Sequence, residues 1–78
     1  MANREREWSR ADRATMTRLR ERMKELRGYE SQNEIADRAE MDRSHLADLE
    51  AGRGNPTLHI LIRIARALDV DMAELFRP

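Results

Sequence analysis

The side chains best suited to chemistry cluster in one short segment, MDRSHLADLEAGRGNP, at residues 41–56. Arg43, Ser44 and His45 supply hydrogen-bond donors, and Asp48 supplies an acceptor. No nucleophile, general base and orienting group occur at catalytic motif spacing, and a chain of 78 residues has little room for a substrate pocket. We therefore expect these side chains to recognise a partner, and we do not expect an enzyme.

The same segment predicts a short helix whose outward face is small. Asp42 can cap its start and Gly52 ends it, while Leu46 and Leu49 mark the side that faces the core. The opposite side carries small side chains flanked by donors: Ser44, Ala47, Asp48 and Ala51, with Arg43 and His45 beside them. Such a helix can approach the DNA major groove, which is read mainly from the N-terminal residues of one helix.

Base recognition would be divided among the outward side chains. Arg43 can bridge guanine O6 and N7, and Ala47 can meet a thymine methyl group. Asp48 would be repelled by phosphates, but it can accept from a cytosine amino group or orient His45. A short packing helix with a solvated outer face is the alternative that this helix alone leaves open.

The flanking sequence predicts an all-α domain of five helices over residues 9–78, preceded by a flexible arm at residues 1–8. Aromatic residues make up only 4% of the chain, and alanine, leucine, arginine and glutamate dominate, so strands are not expected. The first helix covers residues 9–27, with Ser9 and Asp12 as a cap pair. Ser31 and Glu34 form a predicted capping box for the second helix.

The C-terminal third predicts two more helices. Asn55 or Thr57 can cap NPTLHILIRIARAL, and Asp71 with Glu74 predicts a capping box for a short fifth helix, MAELF. Helical spacing assigns the following side chains to the core: Met16, Leu19, Met23, Leu26, Ile35, Ala36, Ala39, Leu46, Leu49, Leu58, Leu61, Ile64, Ala65 and Leu68.

Composition limits the other possibilities. With no cysteine and two isolated histidines, His45 and His59, we expect no metal, no other cofactor and a reducing cytoplasm. No apolar run is long enough for a membrane span. The formal net charge is zero, and residues 31–56 carry three basic against six acidic side chains, whereas proteins that bind nucleic acids usually have a basic excess.

The second and third helices have the order and spacing of a helix-turn-helix unit. From Gln32 onwards, QNEIADRAEMDRSHLADLEAGRGNPTLHILIRIARALDVDMAELF resembles the XRE family, the phage-repressor type of helix-turn-helix regulator. The resemblance covers roughly residues 16–76 and implies a five-helix repressor-type domain that binds double-stranded DNA. The turn position usually filled by glycine is Glu40, which would have to adopt a left-handed conformation at a cost of about 1 kcal/mol.

The resemblance also implies roles for individual positions. Bases are read by residues that fall here on Arg43, Ser44, Asp48 and, variably, His45 and Ala47. Phosphates are held by residues that fall on Ser31 and Gln32 at the second helix, and on Arg53, Asn55 and Thr57 after the third. The family often pairs a glutamate at the Glu50 position with an arginine of the first helix, for which Lys24 is the nearest equivalent and Arg27 the rival.

These features predict a sequence-specific, homodimeric transcriptional regulator acting on a near-palindromic operator. One small core does not need all the apolar residues of the last two helices, so we expect a two-fold interface built from Ile60, Val70, Met72, Leu75 and Phe76. The segment MDRSHLADLEAGRGNP is somewhat more similar to restriction-modification controllers than to phage repressors or antitoxins. The alternative, favoured by the zero net charge, is a protein-interaction module with weak DNA binding, such as an antitoxin.

Overall fold

The computed structural model describes residues 9–78, and the arm predicted at residues 1–8 lies outside them. The described chain forms four α-helices, α1 (Arg10–Arg27), α2 (Gln32–Ala39), α3 (Arg43–Glu50) and α4 (Leu58–Ala67), and ends in a 3₁₀ helix, Met72–Phe76. The prediction of an all-α fold is confirmed. Within these residues, no helix is both long enough and apolar enough to cross a membrane.

Local capping fixes the starts of α1 and α2. The Ser9 backbone N–H donates to Asp12 at 3.0 Å, and the Ser9 hydroxyl accepts from the Asp12 N–H at 3.0 Å. Ser31 and Glu34 repeat this reciprocal arrangement at 2.9 and 3.1 Å. Both predicted capping boxes are therefore confirmed, and each satisfies helix N–H groups that would otherwise lack partners.

The caps of the later helices agree with the prediction only in part. Of the two caps predicted for α4, Asn55 or Thr57, Thr57 is the one observed, since its hydroxyl accepts from the Ile60 N–H at 3.1 Å. Asp42 and Asp71 occupy N-cap positions without a side-chain capping bond, so the predicted Asp71 and Glu74 capping box is wrong. Glu74 instead accepts a hydrogen bond from Arg22 of α1 at 3.0 Å.

The core lies where α1, α2, α3, α4 and the 3₁₀ helix converge. Its most buried large side chains are Ile35, Leu46, Ile64 and Leu75. Leu58 was predicted to face inward, but it is 64% exposed because it is the first residue of α4, before that helix meets the others. Leu75 was predicted as a dimer contact, but it is 0% exposed and belongs to the core of this subunit.

The turn between α2 and α3 is built on a left-handed residue, as predicted. Glu40 has φ 57° and ψ 50°, which lets the Met41 N–H donate to the carbonyl of Ala36 at 2.9 Å. The Arg63 guanidinium of α4 donates to the carbonyl of Ala39 at 2.9 Å and to that of Glu40. The end of α2 is therefore capped from another helix, and this fixes the angle at which α3 leaves the turn.

Glu40→Gly should raise the free energy of unfolding by about 0.5–1 kcal/mol, because glycine adopts the left-handed conformation without a Cβ clash. Urea denaturation measures this difference. Glu40→Ala is the control, since it removes the carboxylate but keeps the backbone strain. An equal gain in both variants would show that the carboxylate, and not the backbone, limits stability at this turn.

Candidate nucleic-acid interface

A buried ion pair holds α3 against α1. The Glu50 side chain is 5% exposed, and its two oxygens accept from Nε and Nη2 of Arg27 at 2.9 and 2.8 Å. Arg27 is therefore the partner of Glu50, whereas Lys24 only approaches Glu21 at 3.5 Å on the surface. Burial disfavours both charges unless they are paired, and the planar fork of arginine satisfies both carboxylate oxygens at once.

The pair also affects protonation. Hydrogen bonding to Glu50 raises the pKa of the Arg27 guanidinium above its ordinary value, against a smaller opposing effect of burial. A raised folded-state pKa stabilises the fold at every pH below the ordinary arginine value, and this contribution is lost only as pH rises through the raised value. Arg27 therefore stays positively charged at every pH below the ordinary arginine value.

A hydrogen-bonded chain runs from this ion pair to the outer surface. Gln32, the first residue of α2, donates from its side-chain amide to Glu50 at 2.9 Å. Its carbonyl oxygen accepts from Nη1 of Arg43, the first residue of α3, at 3.3 Å. The start of α2 and the start of α3 are thus joined by one amide group, which orients the Arg43 guanidinium.

The predicted base-reading residues share the outer face of α3. Arg43, Ser44 and His45 are exposed at its N-terminal end, and Ala47 and Asp48 are half-buried one turn further on. Leu46 and Leu49 lie in the core on the opposite side, as the helical wheel predicts. This face can therefore present donors at its start and a small side chain at its centre to an apposed surface.

Asp48 has a partner that the sequence analysis did not consider. Its carboxylate accepts from Nε of Arg53 at 3.0 Å, and its backbone carbonyl accepts from the Arg53 N–H at 2.8 Å. The carboxylate is thus bonded to Arg53 and not to His45. The two side chains remain 51% and 70% exposed, so the pair partly neutralises Asp48 while leaving both groups accessible.

The residues predicted to hold phosphates fall into two groups. At the start of α2, the capping box already engages the Ser31 hydroxyl and N–H. The donors left at that end are the backbone N–H groups of Gln32 and Asn33, which have no intrahelical acceptor and lie at the positive end of the helix dipole. After α3, Arg53, Asn55 and Thr57 are all exposed.

Ion pairs and hydrogen bonds neutralise some of the charges near α3. Of the acidic residues there, Glu50 is bonded to Arg27 and Asp48 to Arg53, whereas Asp42 makes no ion pair with residues 9–78. Several arginines, by contrast, make no ion pair with any residue from 9 to 78: Arg10, Arg13, Arg18, Arg20, Arg43 and Arg66. The zero net charge therefore does not mean that every arginine is neutralised, although acidic side chains such as Asp37 also lie outside the ion pairs of residues 9–78.

The sequence analysis missed one feature beside this face. Arg13, Thr17 and Arg20 of α1 line a cleft with residues of the loop after α3, among them Gly52 and Asn55. The signal was present in the spacing of four and three residues, which places these α1 side chains on one face. It was overlooked because α1 was considered only for its core stripe.

The chain is similar to a known protein family, to a known protein sequence and to a solved structure. Residues 19–75 match the family HTH_3, described as Helix-turn-helix. The uncharacterized HTH-type transcriptional regulator y4dJ of Sinorhizobium fredii is 40% identical over 48 residues, covering 62% of each chain and so less than two thirds of that relative. The crystal structure of the restriction-modification controller protein C.AhdI from Aeromonas hydrophila is similar with TM-score 0.75 and 34% identity, over 81% of this chain and 98% of that one.

Arg27→Ala should lower the free energy of unfolding by about 3 kcal/mol, because it leaves the Glu50 carboxylate buried without its charged partner. Lys24→Ala is the matched control, and it should cost about 0.5 kcal/mol or less, since its ion pair is on the surface. Thermal and urea denaturation measure both. Equal losses in the two variants would contradict the assignment of Arg27 as the partner of Glu50.

Proposed function

Since the chain belongs to the XRE-type helix-turn-helix family of DNA-binding transcriptional regulators, we propose that it binds a near-palindromic operator sequence-specifically as a homodimer. The proposal is one of binding in the cytoplasm, without a catalytic step or a cofactor. The similarity to C.AhdI favours a controller-like subtype over a phage repressor or an antitoxin.

The observation that carries the proposal is the Arg43 guanidinium, exposed at the start of α3 and oriented by the Gln32 carbonyl. A guanidinium held in this way can donate two parallel hydrogen bonds to guanine O6 and N7. Ala47 leaves room for a thymine methyl, and Ser44 and His45 add donors beside it. Asp48 reads a base only if a cytosine amino group competes with Arg53 for its carboxylate.

Phosphate contacts would flank this reading face. At one end of the helix-turn-helix unit lie the N–H groups of Gln32 and Asn33, next to the N-cap residue Ser31. At the other end lie Arg53, Asn55 and Thr57. Such contacts set the register of the protein on DNA and carry no sequence information themselves. Because Arg53 is 70% exposed even while paired with Asp48, it can reach a phosphate without loss of buried structure.

Dimerisation is the second part of the proposal, because one unit makes few contacts and two units can read half-sites about 34 Å apart. With Leu75 assigned to the core, the predicted interface residues that remain at least partly accessible are Ile60, Val70, Met72 and Phe76. Leu58 and Ile62, one turn apart on α4, are 64% and 37% exposed and extend the apolar surface of the same half of the chain.

The second candidate function is a protein-interaction module. It is favoured by the zero net charge and by exposed Asp37 and Asp42, which lie within the helix-turn-helix segment. The two functions differ in their response to salt. The affinity of specific DNA binding through several phosphate contacts falls steeply as the salt concentration rises. The logarithm of the association constant K falls by about 0.9 per contact for each tenfold rise in salt.

Arg43→Ala should weaken operator binding by about 1–3 kcal/mol and relax the preference at one base pair of each half-site. Arg53→Ala should instead weaken matched and scrambled duplexes alike and flatten the salt dependence, because it removes a phosphate contact and uncovers Asp48. Fluorescence anisotropy with duplexes from the protein's own upstream region measures both. If no duplex binds in low salt, or if Arg43→Ala binds duplexes as tightly as the wild type does, the interaction module is favoured.

Phe76→Glu should convert the dimer to a monomer, since it places a charge on the exposed apolar surface. Tyr29→Glu is the control, because Tyr29 is an exposed aromatic residue in the turn before α2 and is not among the residues of the proposed interface. Sedimentation equilibrium measures the subunit mass. A wild-type protein that stays monomeric at high concentration would refute the homodimer.

A further inference from the structure

The N-terminal half of α1 and the loop after α3 enclose an open cleft of about 530 Å³. One wall is formed by Arg13, Met16, Thr17 and Arg20, and the other by Gly52, Gly54 and Asn55. The volume greatly exceeds the roughly 30 Å³ occupied by one water molecule in the liquid. The cleft can therefore admit a group as large as a phosphate with its adjoining sugar atoms.

Two glycines determine the shape of the loop wall. Gly52 and Gly54 have φ of 88° and 82°, a backbone conformation that other residues rarely adopt. A Cβ at Gly52 would lie 3.0 Å from Nη1 of Arg20, so the guanidinium packs against the bare backbone. A Cβ at Gly54 would meet nothing within 4 Å, so the loop is open to a ligand on that side. The absence of side chains thus lets a ligand approach both the loop backbone and Arg20.

The cleft is positively charged. Arg13 and Arg20 make no ion pair with residues 9–78, and the only side-chain hydrogen bond of Arg20 there is a long one, 3.5 Å, to the Thr17 hydroxyl. Among residues 9–78, no acidic side chain lines the cleft. Two guanidinium groups, a hydroxyl and the Asn55 amide form a donor set suited to phosphate oxygens.

We propose that this cleft binds a phosphate of the DNA backbone, with Asn55 as one of its donors, in addition to the phosphate contacts proposed above at Ser31, Gln32, Arg53 and Thr57. The proposal rests on the DNA-binding function proposed above. The DNA backbone is the favoured source of this phosphate, because Asn55 lines the cleft and belongs to the loop that follows α3, the helix proposed to read bases. Helix α1 thereby becomes a further DNA-contacting element, since the side chains of its N-terminal half before Leu19 are exposed apart from Met16.

The test is the salt dependence of operator binding by Arg13→Gln. Arg13 is exposed, so the variant should fold as the wild type does. The slope of log K against log salt should become shallower by about 0.9 per subunit, while the preference for operator over scrambled duplex is unchanged. Arg18→Gln is the matched control, because it removes the same charge from an exposed position of α1 that does not line the cleft. It should leave the slope unaltered.

A second variant tests whether one phosphate is shared. If holding the one phosphate requires both Arg13 and Arg20, Arg13→Gln with Arg20→Gln should lose no more than Arg13→Gln alone, about one contact per subunit. Phosphate ethylation interference should then show one position per half-site that matters for the wild type and no longer matters for Arg13→Gln.

The possible failures are distinguishable. If the wild type binds no duplex, the DNA-binding function itself is wrong and this inference falls with it. If the wild type binds its operator but Arg13→Gln and Arg18→Gln have equal slopes, only the cleft assignment is overturned. Saturable binding of inorganic phosphate or ATP that Arg13→Gln abolishes, with the DNA slope unchanged, would also overturn it in favour of a soluble anion.

Discussion

One buried carboxylate ties together α1, α2 and α3, the helices that carry most of the residues proposed to face DNA. Glu50 is 5% exposed and accepts hydrogen bonds from Arg27 of α1 and from Gln32 of α2. A charge in that position is tolerated only while these donors stay in place, so the relative placement of three helices is fixed by polar geometry as well as by apolar contact. In a domain of this size, where the core is small, such a constraint contributes orientation that packing alone would specify weakly.

The same network joins the two proposed kinds of DNA contact. Gln32 begins α2, whose free N–H groups are proposed to bind a phosphate, and its carbonyl accepts from Arg43, which begins α3, the helix proposed to read bases. A displacement of α2 against the phosphate backbone would therefore move the Arg43 guanidinium as well. Phosphate contacts normally set position and base contacts set specificity. In the proposed function one amide group links them, so correct placement on the DNA backbone would be a condition for correct base reading.

The features that the sequence predicted well are local ones. The Ser9 and Ser31 capping boxes, the left-handed Glu40 and the inward leucines of α3 depend on residues within one or two helical turns. The failures involve distant partners. Glu74 lies three residues from Asp71 but bonds to Arg22, which comes 52 residues earlier, and the choice between Lys24 and Arg27 depends on where Glu50 arrives in space. The cleft of Arg13 and Arg20 combines both cases, because the spacing of its α1 residues is local but its other wall comes from the loop after α3.

Net charge was a poor guide because attraction to DNA depends on where the unpaired charges lie. When an acidic side chain is paired with an arginine, as Glu50 is with Arg27 and Asp48 with Arg53, the two charges largely cancel. The acid then repels DNA less, and the arginine attracts it less. The remaining unpaired arginines are concentrated on α1 and at the start of α3. A neutral chain can therefore present a basic surface on one side, provided that its acids are paired there and its free aspartates lie elsewhere. Asp42, immediately before Arg43, is the residue that opposes this arrangement most directly, since it is exposed and makes no side-chain capping bond.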